Sequence, residues 1–256
     1  MTTIAPNDAD RATGMARSRL TVLTRVAGIL YLAIFVIYPP AAAVRSTLVV
    51  PGDAAATARN IADSETLFRW GMAGEATIFL IEIVLAAVLY VLLRPVSRSM
   101  SLAGALARVS EGVVMAAGNL FTSILTLIAV GGAGYLSAFD TEQRDALALY
   151  FQEANDYVVL VWGFFFALSL LLTGWLVYRS GFLPRIPGVL LMLAGLGYMA
   201  QSYGTIVAPG LTDGLSTTVL VLAIPGELVF ALWLLIKGVD EDRWRAAALQ
   251  AEHSRL

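Results

Sequence analysis

Six runs of apolar residues mark the chain, near 25–44, 70–93, 107–131, 155–178, 186–208 and 215–237. Each is close to the roughly 20 residues that an α-helix needs to cross the hydrocarbon of a bilayer. None shows the period-two alternation of a transmembrane barrel strand, and a helix satisfies its own backbone hydrogen bonds in lipid. The pattern predicts an all-α fold, a polytopic six-helix transmembrane bundle. Residues 1–24 read as an N-terminal tail, 25–237 as one membrane domain and 238–256 as a C-terminal tail.

The segments between the runs carry their own signals. In "PGDAAATARNIADSETLF", Asp53 is placed to cap a short surface helix. Asp140 with Gln143 three residues on has capping-box spacing, and that helix should continue into the fourth span. The tail "VDEDRWRAAALQAEHSRL" fits an amphipathic helix with Trp244 at headgroup level. Pro39 and Pro40 are expected to kink or end the first span. A basic lead followed by "PPAAAV" resembles a secretory signal with its cleavage site, but the lead is long and the apolar run is span-length, which favours an uncleaved helix.

Charge sets the orientation. Arg11, Arg17, Arg19, Arg25, Arg94, Arg98, Arg108, Arg179, Arg185, Lys237, Arg243, Arg245 and Arg255 fall on one side of the predicted membrane. Only Arg45, Arg59, Arg69 and Arg144, of 17 basic residues in all, fall on the other. The positive-inside rule then puts both termini in the cytoplasm of a multi-pass plasma-membrane protein. Composition agrees: 58% of residues are hydrophobic and 14% charged, against about a quarter charged in soluble domains. The lipid bilayer is the expected partner, a homodimer or a second membrane protein is compatible with so small a bundle, and no nucleic-acid partner is expected.

Several chemistries lack their residues. There is no cysteine and one histidine, His253, which removes thiolate zinc sites, cysteine-held iron–sulfur clusters and paired-histidine haem or zinc ligation. "GGAGYL" at 131–136 follows an apolar run rather than a strand and reads as a turn. No P-loop and no G-x-S-x-G motif occurs. No catalytic residue, metal site or cofactor is predicted.

What remains is a set of polar residues inside the spans. In "GEATIFLIEIV", Glu75 and Glu82 are seven residues apart, about 20° from eclipsed on a helix, so they share a face. A carboxyl facing lipid at mid-depth is strongly disfavoured, so that face should point into the bundle. Glu75 should line a cavity open to the outer side. Glu82 should be buried against a polar side chain of another span and, with no cation expected in reach, be carried as the neutral acid. Asn119 with Thr122, Ser123 and Thr126 makes one stripe; Tyr198, Gln201, Ser202 and Thr205 make another. Glu227 lies near mid-depth after Pro225 and Gly226. The predicted intramembrane polar cluster is therefore Glu75, Glu82, Asn119, Gln201 and Glu227. Arg108 and Glu111, at i and i+3, form a predicted ion pair near the inner face, where snorkelling makes it cheap. Interhelical hydrogen bonding is a sufficient reason for most of the Ser, Thr and Tyr residues.

"RVAGILYLAIF", "PGDAAATARNI", "LFRWGMAGE", "LYVLLRPV" and "VYRSGFLPRIPGVLLMLAGLGYM" occur in that order across residues 24–237. Together they resemble the bacterial Domain of Unknown Function 4386 family of six-helix membrane proteins. Arg69, Glu75, Arg94, Arg179, Pro184 and Arg185 lie in these strings, and Glu227 does not. The resemblance implies a six-helix membrane fold and carries no activity. On the residues alone, a non-catalytic sensor, accessory protein or binder of an apolar ligand ranks first. A small-solute or proton-linked transporter using the glutamates is the alternative, and an intramembrane enzyme using carboxylates is the weakest reading.

Overall fold

The computed structural model describes the backbone of residues 8–208 and 215–253, and the side chains of 19–208 and 224–253. Among the described residues all regular structure is helical. The elements are α1 (Asp8–Leu48), α2 (Ala54–Asp63), α3 (Glu65–Leu93), α4 (Arg98–Met115), α5 (Phe121–Gly131), α6 (Thr141–Arg179), α7 (Arg185–Val207), α8 (Leu215–Ile236) and α9 (Glu241–His253). A π-helical turn, Ala116–Leu120, joins α4 to α5 without a break. Five helices are long and apolar enough to cross a membrane: Arg19–Leu48, Glu65–Leu93, Arg98–Gly131, Thr141–Arg179 and Arg185–Val207. The described apolar part of α8, Ile224–Ile236, is shorter. Arg255 and the turn between the fifth and sixth apolar runs lie outside the described residues, as do the side chains of Arg11 and Arg17.

The long helices form a closed ring in which neighbours pack as α1–α3–α4–α6–α7–α8 and back to α1. Glycines allow the tightest approaches. A Cβ on Gly188 of α7 would fall 2.6 Å from the Gly174 carbonyl oxygen of α6, and one on Gly195 would fall 2.9 Å from that of Ala167. Ring closure has the same basis, since a Cβ on Gly28 of α1 would meet the Leu235 nitrogen of α8 at 2.7 Å. Lipid supplies no hydrophobic drive between helices, so such small-residue contacts carry much of the association. The main apolar core, with Leu85, Leu92, Leu170, Leu191, Phe230 and Leu234, fills the ring toward α9. Outward faces carry exposed Val36, Leu80, Val84, Phe121 and Leu196, as a lipid-facing surface does.

The two ends are finished differently. Asp53 caps α2 by accepting from the Ala56 amide at 2.8 Å, and α2 lies across α5 and α6 with Ile61 buried beside Leu48 and Phe68. The Asp140–Gln143 capping box is present, and α6 runs unbroken for 39 residues. At 1.5 Å per residue that is about 58 Å, nearly twice a ~30 Å hydrocarbon layer, so α6 stands proud of the membrane. At the other end α9 is fastened beneath the bundle. Trp244 Nε1 donates to the Leu92 carbonyl at 2.8 Å and Thr21 Oγ1 to Glu241 at 2.6 Å. Trp244 is thus held by α3 instead of resting free at headgroup level. Nor do Pro39 and Pro40 end the first helix, because α1 continues through both to Leu48.

Candidate functional site

Arg108 is the centre of the buried polar set, and its depth is the main departure from the sequence reading. α4 starts at Arg98, because the Ser97 hydroxyl caps it and Ser101 Oγ donates to the Tyr90 carbonyl at 3.0 Å. The third span therefore begins some nine residues before the predicted 107. Ten residues into that helix, Arg108 lies about 15 Å from its start, half the thickness of a hydrocarbon layer. It is 1% exposed. It does not snorkel at the inner face, as the sequence reading expected.

The guanidinium gathers carboxyls from three helices. Arg108 Nη1 reaches Glu82 Oε2 of α3 at 2.6 Å, and Nη2 reaches Glu227 Oε1 of α8 at 3.4 Å. Its predicted partner Glu111 is the most distant of the three, 4.0 Å from Nε. Tyr31 of α1 packs its ring against the guanidinium, 5.0 Å from centroid to Cζ. A cation over a ring face in a desolvated site adds attraction of about 2 kcal/mol. Four ring members, α1, α3, α4 and α8, thus meet at one side chain. The expectation that Glu82 lacks a cation is overturned, and the reason is the misjudged depth of Arg108. Tyr31 Oη, Arg108 Nε and Glu111 Oε2 are buried without a hydrogen-bond partner among the described residues.

Glu75 and Asn119 belong to a second site about 10 Å farther along α3, seven residues at 1.5 Å each. The π-turn puts Asn119 there. Eight residues from Glu111 would carry it about 80° past the inward face of a regular helix, and one extra residue in the turn restores about 100°. Asn119 is consequently buried, 3% exposed, and shares a cavity wall with Glu75. Both residues line a cavity of about 680 Å3 at the α2 end, hereafter the vestibule, whose other walls include Tyr38, Arg45, Asn155 and Asp156. Asp156 is exposed and takes a 3.1 Å contact from Arg45 Nη2, so the vestibule opens to solvent at this end. The same Arg45 nitrogen donates to the Gln152 main-chain oxygen.

Gln201 falls in neither set. It is half-buried on α7, accepts from Thr205 Oγ1 through its main-chain oxygen at 2.9 Å, and does not line the vestibule. The predicted cluster of five therefore divides: Glu82 and Glu227 join Arg108 and Glu111, Glu75 joins Asn119, and Gln201 stands apart. Sequence reasoning missed Tyr31 and Arg45. Tyr31 follows buried Thr24 and Ala27 at helical spacing, a signal for an inward face; Arg45 is one of the few basic residues on the sparse side. Among the described residues no group of three or more His, Cys, Asp or Glu side chains is placed to hold a metal ion.

A family model described as Domain of unknown function (DUF4386) matches residues 26–238. An uncharacterized protein of Archaeoglobus fulgidus is 33% identical over 170 residues, which is 66% of this chain and 84% of the relative. No solved structure matches the chain.

Proposed function

The chain belongs to the Domain of unknown function (DUF4386) family, and from its own site geometry we propose that it is a non-catalytic ligand-binding protein of the plasma membrane. The observation that carries this is a vestibule of about 680 Å3 at the α2 end whose walls include no member of the Arg108 cluster. Pockets of a few hundred Å3 or more, with mixed walls and a few placed polar groups, are what small-molecule sites look like. A vestibule that does not reach the Arg108 cluster suits holding a solute rather than passing it through the bundle. α8 counts as the sixth span, and the basic residues at the α9 end put that end, and both termini, in the cytoplasm. Reporter fusions after Arg98, Arg179 and Arg245 should read cytoplasmic, and those near Asn60 and Asp145 external; an external reading at any of the first three reverses the orientation.

The absence of cysteine in the chain makes this reading directly testable. Ala42→Cys in the vestibule wall should react with a membrane-impermeant thiol reagent added on the α2 side. Ser101→Cys, beyond the Arg108 cluster, should stay unmodified from that side. Modification of Ser101→Cys from the α2 side would mean a continuous path and would overturn the binding-only reading. Proton-linked transport is the second reading, favoured by Glu75 and Glu82 sharing one face of α3 between vestibule and cluster, and by three carboxyls gathered around one guanidinium. It requires proteoliposomes with a trapped pH dye to show solute-driven proton entry that Glu82→Gln abolishes.

A further inference from the structure

Behind the vestibule lies a smaller chamber of about 20 Å3, walled by Arg45, Glu75, Ser123, Asn119, Gln152 and Asn155 among others. Four of these residues, Arg45, Glu75, Asn119 and Asn155, line both spaces, so the chamber is an alcove of the vestibule. Its volume suits one water-sized group.

Two acceptors in its walls are buried without a partner. Asn119 and Glu75 face each other in the alcove wall. Asn119 Oδ1 is left buried without a partner, and so is Asn155 Oδ1 on a residue 5% exposed. Two of the donors nearby are committed elsewhere. Arg45 Nη2 donates to the Gln152 main-chain oxygen and to Asp156, and Gln152 Nε2 donates to Thr126 Oγ1 at 2.8 Å. The charged residues of the two walls are Glu75, Glu153, Asp156 and Arg45, three acids against one base. Buried acceptors without donors, in an acidic surround, call for a group that brings N–H donors and positive charge.

We propose that the alcove is the head-group site for an organic ammonium ion. The –NH3+ group enters between Glu75, Asn119 and Asn155 and donates to each, while the carbon skeleton lies along Ala42, Met115 and Val159 of the vestibule. Tyr38 and Tyr157, also in the vestibule wall, suit an aromatic or cationic occupant. This inference rests on the ligand-binding reading above and adds the chemical class of the ligand.

The test uses the full chain purified in detergent and four matched probes: 2-phenylethylammonium, its N,N,N-trimethyl derivative, 2-phenylethanol and 3-phenylpropionate. Only 2-phenylethylammonium should raise the Tm saturably. Its apparent Kd should weaken at least tenfold in Glu75→Gln and in Asn155→Ala, each first checked for native elution volume. Equal stabilisation by the trimethyl derivative would show that N–H donation is unused and overturn the proposal. So would an equal shift with KCl, or an unaltered Kd in both variants. Saturable binding of the alcohol or the carboxylate alone would overturn the ammonium assignment while leaving the vestibule a binding site. Failure of all four probes with Ala42→Cys still reactive would also overturn only the ammonium assignment. Failure of all four with Ala42→Cys unreactive would remove the vestibule reading as well.

Discussion

Arg108→Met should leave little folded protein. The substitution strands Glu82, Glu111 and Glu227 together in the interior without a cation, and breaking a buried pair by removing one partner costs about 3–5 kcal/mol. Most single domains have only about 5–15 kcal/mol to lose. Arg108→Lys should rescue only partly, because one ammonium cannot present the two-pronged geometry that reaches Glu82 at 2.6 Å and Glu227 at 3.4 Å at once. Glu82→Gln keeps a hydrogen-bonding partner for Nη1 and should fold, whereas Glu82→Leu should be clearly less stable. The informative variant removes the whole set, as Arg108→Met with Glu82→Leu, Glu111→Leu and Glu227→Leu. Apolar replacement of a complete buried ionic group is often neutral or stabilising, so this variant should regain much of the melting temperature lost by the single change. If detergent-solubilised Arg108→Met melts within a degree or two of the parent, the cluster does not hold the ring together.

The second large effect is expected at the α6–α7 crossing. A Cβ on Gly188 would sit 2.6 Å from the Gly174 oxygen and 2.7 Å from the Tyr178 nitrogen, both backbone atoms that no rotamer change can move. Gly188→Ala should cost about 1–3 kcal/mol, the range for overpacking a tight core. Gly188→Leu should force the helices apart and prevent assembly. Gly134 supplies the control, since a Cβ there meets nothing within 4 Å. Gly134→Ala should leave the melting temperature near the parent value. Equal stability of Gly188→Ala and Gly134→Ala would contradict the packing described.

How far these features could be read in the chain depends on the range of the interaction behind each. The caps at Asp53 and at Asp140–Gln143 are local, three residues across, and the sequence shows them directly. The shared face of Glu75 and Glu82 needs only helical periodicity. Arg108 needed more. Its depth turns on where α4 begins, and the polar, small-residue stretch "SRSMSLAGALARVSEG" looks like a loop unless the Ser97 cap and the Ser101 bond to α3 are known. The angular register of Asn119, grouped correctly with Glu75, was hidden for a different reason. A π-turn changes the angular register of everything after it, and no composition signal in "AAGNL" announces one. The ring closure of α8 on α1 joins residues some two hundred positions apart, which periodicity cannot see.

The order of the cluster's members along the chain bears on biosynthesis. Arg108 is an expensive residue to deliver into lipid, yet the helical hairpin α3–α4 already contains Glu82 and Glu111, one before it and one three residues after. The pair can therefore leave the insertion machinery as a hairpin that brings its own counter-charge, needing nothing from later helices. Glu227 arrives only with α8, more than a hundred residues on. Until then the Nη2 side of the guanidinium has no partner from α8, and its arrival fastens the last helix to the centre while Gly28 admits it beside the first. A chain ending before α8 would keep the Arg108–Glu82 pair of the hairpin but lack the Glu227 contact that ties the last span to the centre.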